Sequence, residues 1–222
     1  MSRIVVKVGG AVADASPAAI LELAHEGHDV CVVHGAGPQI SAEMERFGLQ
    51  PEFVNGRRVT TPAVLSLVQL SLARVNKSLC AALGPRAVGL AGDGVGLHAV
   101  QVPSLGLVGD PLPCRPPVVE AALATGKIPV VAPLGVGPLN VNADEAAAAL
   151  AVGLGADELL FLTDVPGLLL DNGVVGTIGA AEAEGLLGAG RFDGGIVPKL
   201  SAAVRAAKLG VRARIGDTAV TA

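Results

Sequence analysis

The sequence predicts an α/β protein: a three-layer αβα sandwich on an open, mostly parallel central sheet. Apolar runs of strand length recur along the chain, several of them apolar throughout rather than alternating, as strands covered on both faces are. Segments with clear helix punctuation lie between those runs, so the order β-α-β-α repeats. At 222 residues, 51% of them hydrophobic, the chain can bury a sizeable core as one large domain or two closely joined lobes.

The spacing predicts strands over 3–8, 29–33, 86–90, 98–102, 128–132, 158–163 and 211–215. Ser16-Pro17 opens a first helix that Gly27 closes, Pro38 opens a second that Gly48 closes, and Thr61-Pro62 opens a third that Gly84-Pro85 ends. In "EFVNGRRVT" the Asn55-Gly56 pair between short extended stretches predicts a β-hairpin projecting from the sheet. "GDGVG" (92–96) lies between strands with no helix to open, and the proline-rich "GDPLPCRPP" (109–117) marks a long irregular connection. A soft boundary follows it, giving an N-terminal lobe over 1–125 and a C-terminal lobe over 126–222 that share one continuous sheet.

Several function classes are excluded. A net charge of -4 with scattered Lys and Arg gives no basic stripe, and four Phe with no Tyr or Trp leave almost nothing to stack on bases, so nucleic acid is not an expected partner. No run of eighteen apolar residues is free of glycine, proline or charge, and "MSRIVVKVGG" has no apolar segment behind a basic start. The expectation is a soluble, cytoplasmic protein with no membrane partner. Cys31, Cys80 and Cys114 are odd in number and lack C-x-x-C spacing, so reduced thiols and no metal site are expected.

In an open parallel sheet, ligands gather at the carboxyl ends of the strands. Lys7 lies inside the first apolar strand, just before Gly9-Gly10; a lysine buried there needs an anion, and paired glycines let backbone N–H groups approach a phosphate. Gly35 and Gly37 after the second strand form a turn into a helix whose N–H groups suit an anion. The turn is not a Walker loop, and Ile40 stands where a dinucleotide fingerprint needs its third small residue, which rules out a nicotinamide oxidoreductase on that motif. His34 reads as a hydrogen-bonded packing residue. Arg57 and Arg58 on the hairpin offer a fork for a carboxylate, with a solvated turn pair the equal alternative. "NVNAD" places Asn140, Asn142 and Asp144 at the start of an alanine-rich helix; Asp144 suits an N-cap, yet one cap does not account for three alternating polar residues. Asp164 before Pro166-Gly167, and Lys199 in the first turns of a late helix, are further strand-end and helix-start groups. Together they describe phosphoryl transfer by charge clamping, with no side-chain nucleophile needed if the acceptor is already an anion.

"VVKVGGA", "VVHGAGPQI", "FVNGRRVT", "VVAPLGVG", "NVNADEAAAALA", "FLTDVPGLL" and "GGIVPKL" resemble, in order and over residues 4 to about 210, the motifs of the amino acid kinase family. The resemblance implies an N-terminal lobe holding N-acetyl-L-glutamate and a C-terminal lobe holding MgATP, the product being N-acetyl-L-glutamyl 5-phosphate of arginine biosynthesis. It implies transition-state roles for Lys7 and Lys199, with Asp144 organising them. It assigns Gly10, Gly35, Ala36, Gly37, Arg58, Asn140 and Asn142 to the acetylamino acid, and Gly9, Thr163, Asp164, Gly167, Gly195 and Ile196, with the two lysines, to the nucleotide. Magnesium is expected to ride on the ATP phosphates, and a homodimer is implied. Ala36 interrupts a glycine run and Ile196 replaces a common methionine. After "KLGVRARI" the chain reaches "GDTAVTA" without the family's further helix, and it begins close to its first strand, which implies a thinner nucleotide wall and insensitivity to arginine. A carrier-linked acetylaminoadipate kinase and a non-catalytic amino-acid sensor are the alternatives within the resemblance.

Overall fold

The computed structural model describes residues 2–9, 16–171 and 173–222. Strand β1 (Arg3–Val8) is followed by α1 (Ser16–His25), β2 (Asp29–His34) and α2 (Gly37–Arg46). A hairpin of β3 (Phe53–Val54) and β4 (Arg57–Arg58) leads to the long α3 (Pro62–Leu83), β5 (Ala87–Ala91) and the single-turn α4 (Gly92–Val95). Next come β6 (Ala99–Gln101), β7 (Val108–Pro111), α5 (Pro117–Ala124), β8 (Ile128–Ala132), β9 (Leu134–Gly135) and β10 (Leu139–Val141). The rest comprises α6 (Ala143–Gly153), β11 (Glu158–Leu162), β12 (Leu169–Leu170), β13 (Gly173–Val174), β14 (Thr177–Gly179), α7 (Ala180–Gly188), α8 (Ile196–Lys208), β15 (Arg212–Ile215) and β16 (Thr218–Thr221).

Eight strands form one sheet in the order β14-β16-β15-β11-β1-β2-β8-β5, parallel throughout except at the antiparallel β15–β16 pair. The period of two along a strand sorts its side chains between the helical layers. Val5, Cys31, Val33, Val131, Leu159 and Phe161 pack against α6 and α8 in one core, whereas Ile4, Val6, Val30, Val32 and Val130 pack against α1 and α3 in another. Lys7 shares the face of Val5 and sits one step nearer the end of β1, which points it at the first turn of α6.

Three departures from the sequence expectation have local causes. The run at 98–102 contributes only β6, and to a separate four-stranded sheet, β6-β7-β10-β9, rather than the central one. Its Val100 is 58% exposed, so the run is not the doubly covered strand its apolar character implies. Within the proline-rich connection lies β7; Pro111 closes that strand at its last position, where a missing N–H disturbs a ladder least. "GDGVG" opens the helical turn α4, stopped by Gly96 at φ 89°, too short to show a helical period. The hairpin forms as expected, with Asn55 and Gly56 both at positive φ, 49° and 77°.

Candidate active site

Lys7 and Asp144 meet at the middle of the sheet's carboxyl edge. The Lys7 ammonium lies 2.8 Å from Oδ1 of Asp144, and each residue is only 6% exposed. The approach is off the axis of a hydrogen bond, so this oxygen is ion-paired yet accepts no hydrogen bond from the described residues. The first turn of α6 adds its positive dipole end to the stabilisation of the carboxylate. The cap of α6 is a different residue: Oδ1 of Asn142 accepts from the N–H groups of Asp144 (2.8 Å) and Glu145 (3.3 Å). Asp144 is thereby freed from capping and turned towards the lysine.

Lys199 enters from α8. Its ammonium donates to the Gly195 carbonyl at 3.0 Å. Burial lowers its pKa; Asp144 opposes that shift, Lys7 reinforces it and Asp164 opposes it, so these four charges share one field. A cation made costly by burial and a second cation is poised to be relieved by a multiply charged anion.

Two cavities meet here. One, of about 270 Å³, is lined by Lys7, Gly9, Gly35, Ala36, Gly37, Arg58, Asn140, Asn142, Asp144, Thr163, Asp164 and Lys199 among others. The other, of about 490 Å³, is lined by Thr163, Asp164, Gly167, Phe192, Gly195, Ile196 and Lys199 among others. Thr163, Asp164 and Lys199 belong to both walls. Gly9, expected on the nucleotide, lines the first cavity beside Lys7. Gly10 lies outside the described residues.

Arg58 dominates the first cavity's far wall. It is 6% exposed, donates to the Gly37 carbonyl (3.1 Å) and Ser41 Oγ (2.9 Å) one turn apart on α2, and stacks 4.5 Å from the Phe53 ring centre. No carboxylate among the described residues pairs with it within ion-pair distance, and burial lowers its pKa. A positioned guanidinium with neutral partners is a site for a ligand carboxylate. Arg57 does the opposite: its side chain leaves the other face of the strand and pairs with Glu145 (2.9 Å) and Asp110 (3.1 Å). It is therefore not a solvated turn residue.

The remaining polar groups buttress the cavity. Asn140 donates to Thr60 Oγ1 at 2.9 Å, and Thr60 donates in turn to the Arg58 carbonyl at 2.7 Å. Nδ2 of Asn142 donates to the Gly56 carbonyl at 3.1 Å, tying the hairpin tip to α6. The Gly35 N–H donates to Val8 at 3.0 Å, which leaves the following N–H groups at the start of α2, where Ala36 offers no side-chain cap, for a ligand. His34 is fully buried, accepting from Asn76 at 3.0 Å on Nε2 and facing the Gly35 carbonyl at 3.3 Å with Nδ1; burial pushes its pKa down to about 4. It is a neutral support for the turn, not a base. Ser41, Thr60, Asp110 and Glu145 escaped the sequence reading because their roles rest on partners far along the chain; a polar residue one turn after Gly37 was the only local hint, at Ser41.

The fold and this charge-clamped double cavity define a phosphotransferase-like member of a known group: residues 2–217 match the model of the amino acid kinase family, and the chain belongs to it. Among curated relatives it is 45% identical to the acetylglutamate kinase of Rubrobacter xylanophilus over 97% of this chain and 88% of that protein. It is 42% identical to the acetylglutamate kinase of Methanopyrus kandleri over 94% of this chain and 92% of that protein. Among solved structures, smu.665 from Streptococcus mutans UA159 superposes with a TM-score of 0.86 at 29% identity, covering 99% of this chain and 98% of that one.

Proposed function

We propose that the chain transfers the γ-phosphoryl group of ATP to the side-chain carboxylate of N-acetyl-L-glutamate, forming N-acetyl-L-glutamyl 5-phosphate in arginine biosynthesis. The observation that carries this reading is the placement of Lys199 in the wall common to both cavities, beside the buried Lys7–Asp144 pair. The acetylglutamate kinases named above support the choice of substrate.

The acceptor occupies the smaller cavity with a backbone carboxylate on Arg58 and its acetylamino group near Asn140 and Asn142. The nucleotide lies along Thr163, Asp164, Gly167, Gly195 and Ile196. An acceptor carboxylate oxygen attacks phosphorus in line while the bond to ADP breaks, and no proton has to move because the acceptor is ionised at neutral pH. Lys7 and Lys199 stabilise the charge on the transferring group, and Asp144 holds their ammonium groups in place. Backbone N–H groups at the start of α2 receive the transferring phosphoryl from the acceptor side. Magnesium bound with the nucleotide would supply further charge neutralisation beside Lys7 and Lys199. The phosphates of the nucleotide would be its main ligands.

The acceptor is assigned mainly to the lobe before about residue 125 and the nucleotide to the one after it, although Asn140 and Asn142 of the second lobe also line the acceptor cavity and β8 lies on that side of the sheet. A homodimer built on the α3 and β5 edge fits the exposed Leu70 on that side, and the cytoplasm is the expected location. Among the described residues no helix is long and apolar enough to cross a membrane. Release of ADP on free N-acetyl-L-glutamate, compared with carrier-linked acetylaminoadipate, tests the substrate. Turnover confined to the carrier-linked compound overturns it.

A further inference from the structure

Next to the phosphoryl site runs a second set of charges that the reaction does not use. Glu145, the residue after Asp144, shares the single Nε–H of Arg57 between its two carboxylate oxygens, at 2.9 and 3.1 Å. Arg57 reaches Asp110 at 3.1 Å, Asp110 accepts from Arg205 at 2.9 Å, and Arg205 also donates to the Pro111 carbonyl at 2.8 Å. The chain Glu145–Arg57–Asp110–Arg205 therefore crosses α6, β4, β7 and α8, with equal numbers of positive and negative groups.

Its two ends lie beside the two halves of the site. Adjacent strand residues point to opposite faces, so fixing Arg57 on α6 and β7 fixes the direction in which Arg58 enters the acceptor cavity. Arg205 stands six residues after Lys199 on the same helix, about 9 Å along its axis. The hairpin also touches α8 directly: a Cβ placed on Gly56 would lie 3.2 Å from the Pro198 side chain, next to Lys199. Asn142 adds its bond from α6 to the Gly56 carbonyl.

Resting on the activity proposed above, we propose that Arg57 is a positioning residue, the centre of an ionic latch that sets Arg58 and Lys199 at a fixed separation so that acceptor and nucleotide align. Arg57 is 19% exposed and Glu145 20%, so water screens this centre less than a surface pair. Glu145 faces Arg57 from β4, Asp110 from β7 and Arg205 from α8; burial raises its pKa, and Arg57 is the main group opposing that rise. Removal of Arg57 leaves two carboxylates without the cation between them.

The test uses Arg57→Ala, Arg205→Ala, the double variant and Arg57→Lys in the full chain. Arg57→Ala should raise KM for N-acetyl-L-glutamate about tenfold, moving KM for ATP far less, because the hairpin serves the acceptor. The double variant should lose no more kcat/KM than the worse single variant, since both break one chain. Arg57→Lys should recover only part of the loss, as one ammonium lacks the guanidinium's separate, rigidly directed Nε and Nη2 donors that meet Glu145 and Asp110. KM of Arg57→Ala should also improve as Glu145 is protonated on acidification, and adding Glu145→Gln should abolish that trend. Unchanged KM values, or additive losses, overturn the latch while leaving the kinase reading intact. If the wild type fails to phosphorylate the acceptor, the activity reading falls and amide hydrogen exchange decides the latch. Arg205→Ala on α8 should then speed exchange in the hairpin, residues 53–58, about tenfold, and unaltered hairpin exchange overturns the coupling.

Discussion

Asp144 is free for the organising role proposed for it because Asn142, two residues earlier, does the capping. Asn142 Oδ1 satisfies the first N–H groups of α6, and the Asp144 carboxylate is left to face Lys7 at 2.8 Å. Lys199→Ala should cut kcat about a hundredfold or more with KM values little changed, as expected for a charge that acts on the transition state; steady-state kinetics on both substrates checks this. Arg58→Ala should instead raise KM for the acetylamino acid about thirtyfold, since it removes a charge-assisted carboxylate contact, and the same assays separate the two outcomes. His34 carries the pH prediction. Its pKa is about 4 when folded against 6.5 ordinarily, so between those values the unfolded state binds the extra proton. Stability contributed by neutral His34 is whole at higher pH, erodes as pH falls from about 6.5 towards 4 by about 3 kcal/mol in all, and levels off below. The stability gap between wild type and His34→Gln, measured by denaturant titration, should therefore shrink between pH 7.5 and 4.5.

Elements that carry their own signals were legible, and those made by distant partners were not. The strand at β1, the Asn55-Gly56 turn and the Thr61-Pro62 helix start are written locally: an apolar run, a turn dipeptide, and a cap whose side chain does accept from Val64 N–H. The strand β7 was hidden because its ladder is supplied by β6 and β10, and prolines around it read as a loop. The site divided in the same way. Lys7 announced itself as a lysine in an apolar strand, whereas the identity of the α6 cap and the roles of Asp110 and Glu145 depend on pairings across the fold. Within α6, Gly153 packs so close to the Cys114 backbone that an added Cβ would collide with it. Gly153→Ala should thus destabilise by about 1–3 kcal/mol despite alanine's better helix propensity, and thermal unfolding measures the loss.

Across the whole molecule, the antiparallel closure of the sheet supports the side proposed for the nucleotide. β16 pairs with both β15 and β14, and its Thr218 accepts from the Leu168 N–H at 2.8 Å and donates to the Val175 carbonyl at 2.6 Å. Gly167, at φ 147°, leaves no room for a side chain beside Thr218. The closing strand and the turn before it therefore brace the 164–167 loop. The proposed function rests on one charge-clamped site that joins two cavities and passes a phosphoryl group to a carboxylate acceptor. Its most direct test is trapping with hydroxylamine, which converts an acyl phosphate to a coloured hydroxamate. Purified protein with ATP, magnesium and N-acetyl-L-glutamate should yield hydroxamate in step with ADP, and Lys199→Ala should nearly abolish both. ADP release without hydroxamate, or no reaction with any acetylated amino acid, would contradict it.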